Sequence, residues 1–191
     1  MEELQFINEL KSGDQAAFKR LVAQLSSRVY NTCLGLLQNS EDAEDITQEV
    51  FISVFQNISQ FKGDARLSTW IYKIAVTRSL EHIRSQKRKK RFAFMQSLFN
   101  NEGEIKKELP HFHHPGVLLE NKERAAVLFK AIDQLAENQK TAFILHKTED
   151  LSYAEISEIM NTSVSSVESL MFRAKQNLQK ILGEYYKENE K

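Results

Sequence analysis

Apolar residues recur at steps of three and four along most of this chain, the spacing of helices that bury one face. Phe18, Leu21, Val22, Leu25 and Val29 form one stripe. A second runs through NSEDAEDITQEVFISVFQNI as Ala43, Ile46, Val50, Val54 and Ile58, with Ser40 as the expected N-cap and acidic residues in the first turn, where the helix dipole favours them. Gly63 and Asp64 mark a loop, after which a helix is predicted to start near Ser68 or Thr69. On a wheel of about 100° per residue, Tyr72, Val76, Leu80 and Ile83 form its buried stripe, whereas Trp70, Thr77, Glu81 and Arg84 share another face. Beyond Arg91 the period decays. The stretch QSLFNNEGEIKKELPHFHHPG holds both prolines and two of the six glycines, which predicts a flexible linker over residues 96–118. Helical spacing returns from Leu119, so the expected fold is all-α: two small helical domains, 1–95 and 119–191, on either side of that linker.

The C-terminal run LSYAEISEIMNTSVSSVESLMFRAKQNLQ has the grammar of a helix-turn-helix. Ser152 and Glu155 are spaced as a capping box, and Ile156, Ile159 and Met160 give the first helix its apolar side. Asn161 stands where the chain must turn sharply, and Asn tolerates the left-handed conformation better than most residues. Ser165 and Glu168 form a second candidate box, ahead of a stripe of Val164, Val167, Met171, Ala174, Leu178 and Ile181. The opposite face presents Ser165, Ser166, Glu168, Ser169, Phe172, Arg173 and Lys175. Short polar groups near a helix start, followed by Arg and Lys, suit a DNA major groove.

Composition narrows the function class. The chain has 191 residues and zero formal net charge, but the charge is unevenly spread. Residues 1–60 carry four Lys/Arg against nine Asp/Glu, and residues 61–95 carry ten against two, ending in the five-residue basic run Lys87–Arg91. Such separation predicts a polyanionic partner at one place and a basic partner at another. The single cysteine, Cys33, lies in an apolar helical context and reads as a buried structural thiol. No apolar run approaches the roughly 20 residues of a membrane span, and the acidic N-terminus lacks the pattern of a signal peptide, so a cytoplasmic protein without membrane insertion is expected. His111, His113 and His114 have no Asp, Glu or Cys at ligand spacing, so neither a metal nor a cofactor is expected. No phosphate-cradling glycine loop and no nucleophile–base pair can be argued from spacing, and the chain is not expected to be an enzyme.

Two stretches together point to a family. DAEDITQEVFISVFQNISQFKGDARLSTWIYKIAVTRSLEHIR resembles region two of bacterial sigma factors, and the helix-turn-helix resembles their region four. With little else in the chain, the resemblance is to the compact extracytoplasmic-function (ECF) group. It implies that Asp42, Asp45, Gln48 and Glu49 dock on basic clamp helices of the largest subunit of core RNA polymerase, with region four meeting the flap. It implies that promoter DNA is opened at the minus-ten element by the loop and helix carrying Phe61, Arg66, Ser68, Thr69, Trp70, Lys73, Thr77, Arg84, Lys87 and Arg88. The minus-thirty-five element would be read as duplex by Ser169, Phe172 and Arg173, within the polar face given above. An anti-sigma protein is a further partner that the resemblance implies. Two departures stand out: Thr77 and Glu81 replace the Asn and Asp common in the family, and Glu168 and Leu170 replace basic residues of the recognition helix. Fewer cations there predict weak duplex binding without polymerase. The competing reading, a stand-alone helix-turn-helix regulator, leaves the acidic helix and the Trp70 loop without a role.

Overall fold

The computed structural model describes residues 2–100 and 119–189. Eight α-helices appear there, and no strand: α1 (Glu2–Lys11), α2 (Gln15–Leu37), α3 (Ser40–Asn57), α4 (Leu67–Asn100), α5 (Leu119–Asp133), α6 (Glu137–Glu149), α7 (Tyr153–Met160) and α8 (Val164–Asn189), with a 3-10 turn at Ile58–Gln60. Helix α4 runs continuously through the basic segment to Asn100, because Lys and Arg are good helix formers even where no core face remains. The predicted linker beyond Asn100, with its three histidines, lies outside the described residues.

The first half is built as its stripes predict. Ala43, Ile46, Val50, Val54 and Ile58 of the second stripe are all buried against Leu21 and Val29 of α2 and Ile71, Tyr72, Ala75 and Val76 of α4. Caps fix the joints. Asp14 starts α2 by accepting from the amides of Ala16 at 2.7 Å and Ala17 at 3.2 Å. The cap of α3 is Asn39 rather than the expected Ser40: its Oδ1 accepts from the Asp42 amide at 2.9 Å, and Ser40 is already helical. Cys33 is fully buried, and that burial pushes its thiol pKa up, against smaller opposing effects of the Ser79 and Thr47 hydroxyls.

In the second half the capping box is present as spaced. Ser152 Oγ accepts from the Glu155 amide, and Glu155 Oε2 accepts from the Ser152 amide at 2.9 Å. Asn161 adopts the left-handed conformation at φ 50° and closes α7. Helix α8 is capped by Ser163, whose Oγ accepts from the Ser166 amide at 3.2 Å, not by the expected Ser165. Val164 also departs from its stripe. It is exposed, since it sits in the first turn of α8 before the helix reaches its neighbours, whereas Val167, Met171, Ala174 and Leu178 are buried.

The two halves pack on one another, α6 against α2 and α7 against α4. One apolar cluster runs from Leu36 and Tyr72 into Leu145, Ile156 and Met171. Gly35 of α2 makes the close approach possible: a Cβ there would lie 2.7 Å from Ile144 Cδ1. Sequence patterning gave no placement of one half on the other.

Candidate nucleic-acid interface

The loop between the 3-10 turn and α4 and the first two turns of α4 enclose an open cleft of about 290 Å³. Its lining includes Phe61, Lys62, Thr69, Trp70 and Lys73. Gly63 makes the loop possible, with φ of 82°. Phe61 is buried and forms the wall, its ring 5.4 Å from that of Trp70. The indole is half-buried: one side packs on the core and the other opens to the cleft. Thr69 is buried, and its Oγ1 has no hydrogen-bond partner. Arg66 at the end of the loop and Ser68 in the first turn of α4 are not in the cleft lining.

Beyond Trp70 the groove continues over Lys73, Thr77 and Glu81, then over Arg84, Lys87, Arg88 and Arg91. Thus the indole does share one open surface with the cations, as the helical wheel predicts. Sequence reasoning missed Lys62 and Arg78, which also line it. Arg78 follows Thr77 by one residue, about 100° round the helix, and so falls outside the face that the wheel picks out. Its guanidinium donates to Ser53 Oγ at 3.1 Å, which fixes it beside the groove.

On the neighbouring α3, Asp45, Gln48 and Glu49 are exposed, and Asp42 is half-buried with Oδ1 3.1 Å from His82 Nε2. The same face continues into Ile52 and Phe55, 55% and 54% exposed. These apolar residues were overlooked, although Asp45, Gln48, Ile52 and Phe55 follow one another at three, four and three, which is one helical face. The electrostatics of acidic groups beside exposed apolar side chains suit a basic protein surface better than a polyanion.

On α8, Ser165, Glu168, Ser169, Phe172, Arg173 and Lys175 are exposed, with Phe172 at 63%, and Ser166 is half-buried. Arg173 Nε donates to the Ser169 carbonyl at 3.2 Å, which lays it along the helix. The capping box closes the first turn of α7, which packs against this helix. Ser152→Ala is expected to cost about 1 kcal/mol, readable by urea denaturation. Hydrogen bonds from the Ser152 amide and hydroxyl, with Arg66 nearby, hold the Glu155 pKa below its ordinary 4.5. A depressed carboxylate stabilises the fold above its unfolded value, so this contribution is complete at neutral pH and fades as pH falls below about 4.5. A Glu155→Gln variant should flatten that acid limb of the stability curve.

Carboxylates of the second half stand among these cations. Glu155 Oε1 lies 3.2 Å from Arg66, Glu137 Oε1 lies 3.1 Å from Arg84, and Glu158 lines the cleft beside Lys73.

Comparison with known proteins places both halves. Residues 21–89 match the family Sigma-70 region 2, and residues 119–178 match Sigma-70, region 4. The chain is 27% identical over 181 residues to the RNA polymerase sigma-H factor of Pseudomonas aeruginosa, covering 95% of this chain and 94% of that protein. It is 29% identical over 170 residues to the ECF RNA polymerase sigma-E factor of Escherichia coli strain K12, covering 89% and 88%. Among solved structures, CnrH in complex with the cytosolic domain of CnrY superposes with a TM-score of 0.70 at 17% identity, covering 95% of this chain and 97% of that one. The sigma factor RpoE of Bartonella quintana, in complex with the anti-sigma factor NepR, gives 0.65 at 21% identity, covering 87% and 96%.

Proposed function

From the premise that this chain belongs to the sigma-70 family of RNA polymerase sigma factors, in its ECF group, we propose that it binds core RNA polymerase, recognises promoter DNA and promotes strand opening. The observation that carries this reading is the adjacency of two opposed surfaces on one helical domain. The α3 face is acidic and apolar, whereas the α4 face combines an indole with cations. Asp42, Asp45, Gln48 and Glu49 meet basic helices of the polymerase, with Ile52 and Phe55 supplying apolar area at the end of the contact. At the minus-ten element a base leaves the stack and enters the cleft between Phe61 and Trp70. Unstacking costs a few kcal/mol, offset by stacking on the indole. Arg66, Ser68, Lys73 and Thr77 line the path of the separated strand. Arg84 and the run from Lys87 track its phosphates, and Lys62 and Arg78 add to the same field.

Region four meets the polymerase flap and places α8 in the minus-thirty-five groove. Ser165, Ser166, Ser169, Phe172 and Arg173 face bases, Lys175 faces phosphate, and Glu168 lowers nonspecific attraction. The factor performs no catalysis of its own and works in the cytoplasm. Among the described residues no helix is long and apolar enough to cross a membrane. An anti-sigma protein is a fitting partner of the free factor, since the superposed RpoE carries one.

The test is run-off transcription with purified core polymerase and upstream DNA of candidate genes. The reading expects a discrete start site that appears only when the factor is added. No start site, with no binding to core enzyme, would overturn it.

A further inference from the structure

Two exposed surfaces of the first half carry opposite charge that nothing within one copy neutralises. On α3, Asp45 and Glu49 lead at helical spacing into Ile52 and Phe55, which are 55% and 54% exposed. At the far end of α4 every residue from Lys87 to Ala93 is exposed, five cations in a row followed by Phe92 at 72%. Among the described residues neither Asp45 nor Glu49 nor any of Lys87–Arg91 has an ion-pair partner, even though Glu49 and Arg88 line a common opening. The whole chain has zero formal net charge, so two copies meet without the overall repulsion that separates like-charged proteins.

The two surfaces match in order as well as in sign. Asp45, Glu49 and Ile52 follow one another at steps of four and three, and Arg84, Arg88 and Phe92 at steps of four and four. At about 1.5 Å per residue these rows span about 10 and 12 Å, each with its charges first and its apolar residue last. Laid parallel, they set cations on carboxylates and Phe92 on Ile52 and Phe55. Arg84 also has Glu137 at 3.1 Å in its own copy, but its side chain stays 62% exposed. Within one copy α3 and α4 run antiparallel, since Asp42 meets His82 and Ser53 meets Arg78. Pairing α4 of one copy parallel to α3 of another therefore sets the two α4 helices antiparallel, as a two-fold axis demands. The same contact then forms twice and closes the assembly.

We propose that the free factor self-associates as a two-fold dimer, in which the basic extension of α4 in each copy lies on the acidic and apolar α3 face of the other. Exposed ion pairs are worth little each, so the dimer is weak and salt-sensitive, dissociating on the order of 10–100 µM. Phe92 against Ile52 and Phe55 adds a part that salt does not screen. Self-association goes beyond the promoter-opening reading and does not need it. Where that reading holds, self-pairing covers the face given to polymerase, so core enzyme takes the dimer apart.

The experiment is sedimentation velocity of the full chain at low salt, from about 1 to 200 µM. Wild type should rise from monomer to dimer with concentration, saturate there, and return to monomer when salt is raised to about 0.5 M. Asp45→Lys with Glu49→Lys, and separately Arg88→Glu with Arg91→Glu, should each weaken the dimer at least about tenfold, because like charges then face each other. A chain with all four substitutions restores complementarity and should dimerise as wild type does. Glu168→Lys with Glu184→Lys, on exposed positions of α8, changes net charge as much as the α3 pair and should keep the dimer. Circular dichroism checks each variant for native helix content. A wild type that stays monomeric throughout, a four-substitution chain that does not recover, or an α8 pair that weakens the dimer as much as the α3 pair would overturn the proposal. Run-off transcription is read separately: a monomeric factor that directs start sites removes only the dimer, and a dimer without start sites removes only the promoter role.

Discussion

Reversing two charges on α3, Asp45→Lys with Glu49→Lys, is expected to weaken binding of core polymerase on the order of a hundredfold and to abolish run-off transcription. Both side chains are exposed and neither takes part in the core, so folding should be unaffected. The size of the effect follows from what replaces each contact. A neutral substitution removes an attraction, whereas a lysine facing basic helices adds like-charge repulsion, which costs several kcal/mol at a close interface. Salt sharpens the test. The wild-type interaction should weaken as ionic strength rises, and the difference between wild type and variant should shrink, because exposed charges are screened within about 8–10 Å near physiological salt. Fluorescence anisotropy of labelled factor against core enzyme at two salt concentrations reads both. An Ile52→Ser, Phe55→Ser double variant should weaken the same interaction by a smaller, salt-insensitive factor.

Trp70→Ala should have the converse phenotype, with core binding kept and promoter opening lost. Base–aromatic stacking is worth about 1–3 kcal/mol per base, which corresponds to a roughly 5- to 150-fold loss in the equilibrium for strand separation. The Phe61 ring packs at a tilt against the same indole, 5.4 Å between centroids, so the alanine also loosens one wall of the cleft, and the upper part of that range is expected. Trp70→Phe keeps a π-face and should recover most of the opening. Normal affinity of both variants for core polymerase is the built-in check that the domain is folded.

These two surfaces were legible in the sequence because each lies on a single helix, where period alone sorts residues into faces. Ala43, Ile46, Val50, Val54 and Ile58 are buried as spaced, and the exposed acids of α3 occupy the remaining arc. The capping box at Ser152 and the left-handed Asn161 were legible for a related reason, since their partners lie three or four residues away. Cap positions elsewhere shifted by a residue or two. Asn39 and Ser40 are both good caps in tandem, as are Ser163 and Ser165, and local pattern does not choose between them. The joint between the halves was not legible at all. Donors to Glu149 stand 77 to 121 residues away, and neither Arg28, Thr32 nor Tyr72 departs from the pattern of its own helix. Gly35 was equally silent, since a glycine inside a helix shows its purpose only when Ile144 arrives against it. Phe61 was assigned to the pocket loop by resemblance, and local pattern did not show that its ring would be the buried wall of the cleft.

The central claim is that holding the polymerase and holding the separated strands belong to different faces of one small domain. Permanganate reactivity of unpaired thymines at the minus-ten element, measured at saturating core polymerase, tests it most directly. Wild-type factor should make those thymines reactive, and Trp70→Ala should leave them protected although polymerase remains bound. Equal reactivity with both proteins at equal occupancy would contradict the account.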